Sequence, residues 1–415
     1  MRAFARLSLL LLTLVAVACG ADSMAALDTE PNAAPNIQES NRDLSGAVVL
    51  LHNWRWADVM SNMGRLRDAG FTALQLSPHS ASCAGAYGEG YDPYDYTNFN
   101  SGFGSDSDLY WLLGTAHYYG MQVYADMVLN HMCPKSDYGY PRFGWNDFHH
   151  NGGISDWNNW ENRENCDLFG LNDLAQESGY VRSELYNFVV KSSDLGFDGF
   201  RWDAAKHVPL WFWRDHIVNN VNSWGKFNFG EVYSANLDEL QQYANAGMAV
   251  TDYNLYDAIR NSFQFGGDLA ALDGAGFAAR NGSQALTFVE NHDVGAPPNR
   301  LLAYAFLSAY VGYPLYSDSA LNDDALKNLV WIHRHKAFGS YLNRYKSHDV
   351  FIFERQGNLL AALNQSGDWV NQWVATSWRN TRLNDYTGHT GERYTNNDGW
   401  VEVAIPPGGY VMLAP

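Results

Sequence analysis

Three acidic residues stand out by their neighbours: Asp203 in GFRWDAAKH (199–207), Glu231 in GEVY (230–233) and Asp293 in FVENHD (288–293). Arg201 lies two residues before Asp203, so its guanidinium is expected to lower the Asp203 pKa and hold that carboxylate ionised. Glu231 has no adjacent cation, and a less polar setting there would raise its pKa, as a general acid requires. One charged carboxylate and one protonated carboxyl are what a retaining glycosidase needs, the first as nucleophile and the second as acid to the leaving oxygen. A lone acid at a strand end often does no more than cap the next helix. Three such acids on one rim point to chemistry where one alone does not.

The chain supplies such a rim. Eight apolar runs read as strands: GAVVLLHNW (46–54), TALQLSP (72–78), MQVYADMVLN (121–130), FDGFRWD (197–203), FNFGEVY (227–233), AVTDYNLY (249–256), ALTFVENHD (285–293) and YPLYSD (313–318). Amphipathic stretches alternate with them. Trp56, Val59, Met60, Met63 and Leu66 recur at helical spacing until Gly70 stops the helix. Others are HVPLWFWRDHIVNNV, NLDELQQYANAG and NRLLAYAFLSAYVG. Eight strands alternating with helices predict an α/β fold, a (β/α)8 TIM barrel over 46–131 and 177–340. Its chemistry would sit at the C-terminal strand ends, where Asp203, Glu231 and Asp293 close strands 4, 5 and 7. Residues 132–176 are polar, lack helical period and read as an inserted subdomain after strand 3. From 341 to 415, VFIFER, NLLAALNQ, WVNQWVATS and GWVEVAI alternate between turns, as in an antiparallel β-sandwich.

The 415 residues carry 27 basic and 45 acidic side chains, a net −18, which disfavours nucleic acid and leaves neutral ligands or cations. Fifteen per cent are aromatic. Most are expected in the core, including Trp369, Trp373 and Trp378, although exposed rings stack well on sugars. Arg2, Arg6 and the apolar run Leu7 to Val17 form an export signal over 1–18. Two processing outcomes stay open: a lipid anchor at Cys19 in the manner of a bacterial lipoprotein, or cleavage after Ala18 and free secretion. Ala16 stands where lipoprotein signals usually have Leu. Residues 19–45 read as a flexible tether. Of Cys83, Cys133 and Cys166, a Cys133–Cys166 bridge with Cys83 free is expected in an oxidising compartment. No Cys/His spacing points to zinc.

Four motifs in order, DMVLNH (126–131), GFRWDAAKH, GEVY and FVENHD, resemble those of glycoside hydrolase family 13, the α-amylases, across roughly 46–415. The resemblance implies Asp203 as nucleophile, Glu231 as acid/base and Asp293 as the carboxylate that grips the distorted sugar. His131 and His292 resemble the pair that hydrogen-bonds the sugar at the cleavage point. Arg201 would position Asp203, Lys206 and His207 would face the leaving-group sugars, and Tyr91 in GYDPYDY (90–96) resembles the stacking aromatic. Structural Ca2+ is implied too, held by Asn130, Asp173, the His207 carbonyl and the region of Glu164. Arg201 and Asn291 match two ligands of the chloride site of some members, but 313–324 offers no third, so no chloride is expected. Trp202 stands where the family usually has an aliphatic residue. The implied activity is endo-hydrolysis of α-1,4 bonds in starch, glycogen and maltooligosaccharides by a monomer. The short insertion would leave an open cleft. Two rivals are a maltooligosaccharide-forming or transglycosylating member and an inactive surface starch-binding protein.

Overall fold

The computed structural model describes residues 45–415. The signal segment, Cys19 and nearly all of the tether lie outside the described residues. Eight strands, β1 (Val48–Leu51), β2 (Ala73–Leu76), β3 (Gln122–Val128), β4 (Gly199–Asp203), β5 (Phe227–Gly230), β6 (Ala249–Thr251), β7 (Ala285–Phe288) and β8 (Tyr313–Ser317), close in sequence order into a barrel. Every neighbouring pair is parallel, and β1 closes on β8 with Val48 opposite Leu315.

Period-two alternation divides the barrel residues between two cores. Val48, Leu50, Tyr124, Phe227, Phe229, Leu286, Phe288, Tyr313 and Leu315 fill the interior. Val49, Leu51, Val123, Phe200 and Trp202 pack outward under the helices. Gly199 is required by this filling. A Cβ there would lie 2.5 Å from the Phe227 carbonyl oxygen and 2.8 Å from the Tyr124 ring. Trp202 is fully buried between Phe200 and Trp213, and its Nε1–H donates to Asn228 Oδ1 at 3.1 Å. The barrel thus satisfies the unusual indole by giving it a polar partner.

The helices fall where the apolar period placed them, with two differences. The expected strand 249–256 ends at Thr251. Asp252 then accepts from the Leu255 amide, and Tyr253–Ser262 is helical. The helix over 207–221 is broken into Leu210–Phe212, a π-helical turn Trp213–Val218 and Asn219–Ser223. Within 132–176, helix is confined to Trp160–Glu164 and one short turn, and a two-residue ladder pairs His131–Met132 with Asn172–Asp173.

The C-terminal region is two antiparallel sheets. The larger runs Tyr341–Lys346, Val350–Arg355, Leu359–Asn364, Gly409–Ala414, Arg382–Asp385 and Arg393–Tyr394; the smaller pairs Val370–Ala375 with Trp400–Ile405. Ile352, Leu360 and Val411 of one sheet meet Val374, Val401 and Val403 of the other. Trp378 joins this core, whereas Trp369 and Trp373 are exposed, against expectation: Trp373 alternates outward on the smaller sheet, and Trp369 directly precedes its first strand. Phe351 and Phe353 turn the other way, toward Phe306 on the helix Arg300–Ala309.

The cysteine pairing also differs from expectation. Cys83 is bonded to Cys133, and among the described residues Cys166 is the free, buried thiol. Cys133 follows the His131–Met132 ladder, and its amide donates to the Pro93 carbonyl. That hydrogen bond draws it to the loop carrying Cys83, away from Cys166.

Candidate active site

Arg201 organises the C-terminal rim. Its side chain is buried in β4, and parallel pairing places Asp126 of β3 directly opposite. Nη1 donates to both Asp126 oxygens at 2.7 Å and to Asp203 Oδ1 at 2.9 Å. Nη2 lies 3.0 Å from Glu231 Oε2. One guanidinium therefore serves three carboxylates. Glu231, the residue after β5, also accepts from the Ala204 amide at 2.9 Å and from the Tyr253 hydroxyl at 3.3 Å. Ala204 itself has φ 47°, a left-handed bend that turns the chain from β4 toward Glu231.

This sharing overturns the expectation for Asp203. Burial pushes its carboxyl well above the usual range; Arg201 opposes the shift, while Glu231 and Asp126 add to it. Burial likewise raises Asp126, with Arg201 again opposing. Three carboxylates around one fixed cation favour keeping a proton within the cluster rather than ionising all three.

Asp293 lies on the same rim but beyond β7, which ends at Phe288 rather than at the acid. Asn291 Oδ1 accepts from the Asp293 and Val294 amides, so a local turn holds it. Its carboxyl is raised, first by burial and then by Glu231. His292 Nε2 is 3.3 Å from Asp293 Oδ2, and its ring centre lies 4.6 Å from that of His52 and 5.2 Å from that of Tyr91. Tyr91 donates its hydroxyl to Asp126 at 2.9 Å, and His131 Nε2 bonds the Tyr91 carbonyl at 3.0 Å. Burial lowers His131 to about 4 and His292 to about 3, so both rings are neutral near pH 7.

Lys206 donates to the Tyr233 carbonyl at 2.6 Å, and His207 Nδ1 sits 3.3 Å from the Arg163 carbonyl. Asp203, Glu231, Asp293, Tyr91, His131, Lys206, His207 and His292 all line one cleft of about 570 Å3, and Arg201 lies beneath it. Sequence reasoning missed Asp126, Tyr253, His52, Trp157 and Phe169. Asp126 was legible in principle, since it opens DMVLNH and register sets it opposite Arg201. His52 and Tyr253 fall inside the apolar runs 46–54 and 249–256, where nothing in the pattern marks them out, and Trp157 and Phe169 come from loops that strand patterning does not reach.

Of the expected calcium residues, Asn130 Oδ1 and Asp173 Oδ1 are buried without a hydrogen-bond partner. Asp173 is the ladder partner of His131, Asn130 directly precedes that histidine, and the Asn130 carbonyl accepts from the Leu174 amide. The other Asp173 oxygen takes His149 at 2.7 Å. Glu164 Oε1 is likewise buried without a partner; burial raises its carboxyl to about 7, with Arg163 opposing and Glu239 adding. No group of three or more His, Cys, Asp or Glu side chains among the described residues is arranged to hold a metal, so a site at Asp173 would combine its carboxylate with amide and carbonyl oxygens.

A closed parallel barrel with an insertion after β3, a C-terminal antiparallel domain and an acidic, aromatic-lined cleft defines a three-part (β/α)8 protein. Two family models match it, the α-amylase catalytic domain over 55–228 and the α-amylase C-terminal domain over 359–413. The chain belongs to the α-amylase family. The catalytic match includes Asp126, Arg201 and Asp203 and ends before Glu231. An α-amylase-related protein of Drosophila auraria is 31% identical over 291 residues, 62% of this chain and 58% of that one. An α-amylase of Thermomonospora curvata is 30% identical over 66% of this chain and 49% of its own length. The match thus spans less than three fifths of these relatives. The fold resembles that of the α-amylase from Geobacillus thermoleovorans complexed with acarbose, with a TM-score of 0.78, 22% identity, and 89% and 98% of the two chains covered. It also resembles a gamma-CGTase from alkalophilic Bacillus clarkii, with a TM-score of 0.80, 20% identity, and 89% and 70% covered.

Proposed function

We propose that the protein is a retaining endo-hydrolase of internal α-1,4-glucosidic bonds in starch, glycogen and maltooligosaccharides. The observation that carries this reading is the sharing of Arg201 between Asp203 and Glu231, which sets two carboxyl groups side by side at the cleft floor. Glu231 is the more exposed of the two, its side chain 19% accessible against 10% for Asp203. In the proposed reaction Glu231 passes a proton to the leaving glycosidic oxygen as Asp203 attacks the anomeric carbon. The covalent glycosyl ester is then hydrolysed by a water that Glu231 deprotonates. Neutral His131 and His292, with Asp293, would hydrogen-bond the sugar at the cleavage point, and Tyr91 would stack on it.

Structural calcium belongs to the same proposal. The orphaned Asn130 and Asp173 oxygens are hard donors that suit the ion, with the His207 carbonyl as a further ligand. When bound, the ion would neutralise buried charge and pin the insertion to the barrel. No chloride requirement is proposed, since Asn291 is engaged by Tyr253 and the Asp293 turn. Export as a monomer is also proposed, and the Cys83–Cys133 bond supports an oxidising compartment.

One experiment addresses the set: digestion of soluble starch and maltoheptaose with and without a chelator, followed by NMR of the first anomer released. Wild type is expected to give mixed oligomers of α configuration, Asp203→Asn is expected to lose turnover, and the chelator is expected to lower the thermal midpoint. Initial β-anomer would sink the retaining mechanism. A single dominant short product would favour the narrow-product rival, and no turnover the binding-protein rival. A midpoint indifferent to chelation would remove the calcium assignment.

A further inference from the structure

Residues 168–171 form a tight turn in which the Leu171 amide donates to the Leu168 carbonyl at 3.0 Å. Both central residues have positive φ, 53° at Phe169 and 83° at Gly170. A two-residue turn of this hand favours Asn-Gly. Gly170 fits it, but a bulky aromatic in the left-handed region is strained. The fold gains no burial in return, since the Phe169 side chain is 84% exposed. Its ring lines the catalytic cleft beside Trp157, with ring centres 5.7 Å apart. Trp157 in turn meets His207 edge-on at 5.8 Å. Together with Lys206 and Tyr233, it also borders an adjoining hollow of about 530 Å3.

Strain without burial points to a partner that covers the ring only when bound. We infer that Phe169, with Trp157, is a specificity-determining residue that grips the part of an α-glucan lying beyond the scissile bond, on the Lys206 and His207 side. Chains long enough to cross this wall toward the adjoining hollow are preferred substrates. The inference rests on the proposed function, which supplies the ligand class. Aromatic faces complement the C–H faces of glucose units, and the neutral polymer meets no charge penalty at a chain of net −18.

The test compares wild type, F169N and F169Y on maltoheptaose and on α-maltosyl fluoride, whose leaving group carries no sugar. Asn is the residue this turn prefers, so F169N is expected to match or exceed the wild-type thermal midpoint. Its kcat/KM on maltoheptaose should fall about tenfold, the worth of one aromatic contact, with α-maltosyl fluoride turnover unchanged. F169Y should retain both activities. The inference is overturned if F169N keeps its maltoheptaose activity, loses both activities equally, or melts below wild type. Wild type inactive on both substrates would instead refute the proposed function, and this inference with it.

Discussion

At the scale of single residues, the site turns on how one cation is divided. Arg201 was visible as a partner for Asp203, but its bonds to Asp126 were not drawn from the motif that contains it. The consequence is a positioning role for Asp126, which both anchors the guanidinium and adds negative potential at Asp203. Asp126→Asn removes that potential, so the Asp203 carboxyl should ionise more readily. The acid limb of the kcat/KM profile is then expected to move to lower pH, while kcat/KM itself falls through loss of Arg201 orientation. Breaking a buried ion pair should also cost about 3 kcal/mol of stability. A limb that stays in place would show that Asp126 serves packing alone. Asp203 was legible because it closes a barrel strand and Glu231 because it directly follows one, whereas Asp293 was read into a strand that stops at Phe288. The net upward shift at Asp203 was not, because burial is a property of the assembled rim.

At the scale of elements, the strands were legible wherever period two held, and boundaries failed where apolar runs serve two structures. AVTDYNLY is strand to Thr251 and helix from Tyr253, and only the capping role of Asp252 separates them. The same ambiguity hides the π-helical turn, since WFWRDHIV keeps an apolar period through the extra residue. His79, just after β2, shows what element packing does to titration. It is fully buried against Phe99, Phe188 and Phe197, with Nε2 bonded to Ser192 at 2.9 Å. Burial, with Lys191 adding, lowers it from 6.5 to about 3. Between those values the unfolded chain binds a proton that the folded one refuses, so stability falls as pH falls through that window. The slope is about 1.4 kcal/mol per pH unit at most. Thermal midpoints of wild type and His79→Gln from pH 7 to pH 4 check this. The wild-type curve should drop more steeply, and parallel curves would refute the assignment.

At the scale of the whole molecule, the barrel and C-terminal sheets follow from patterning. The cross-link does not, because three cysteines offer three pairings and sequence alone cannot rank spatial neighbours. The bond spans 50 residues and ties the loop after β2 to the segment after β3, so Tyr91 and His131 both lie inside the loop it closes. Closing a loop of that length stabilises the fold by about 4 kcal/mol in the chain-entropy picture. Cys166, 5% exposed once the inserted segment closes, is the thiol left over. The order of events therefore matters during oxidative folding. Until that segment covers it, Cys166 competes for the same partners, and two of the three pairings are dead ends that must be undone by exchange. Cys166→Ser is expected to raise the recovery and speed of refolding from the reduced chain while leaving the native midpoint nearly unchanged. Equal recovery would mean that Cys133 finds Cys83 before Cys166 can compete.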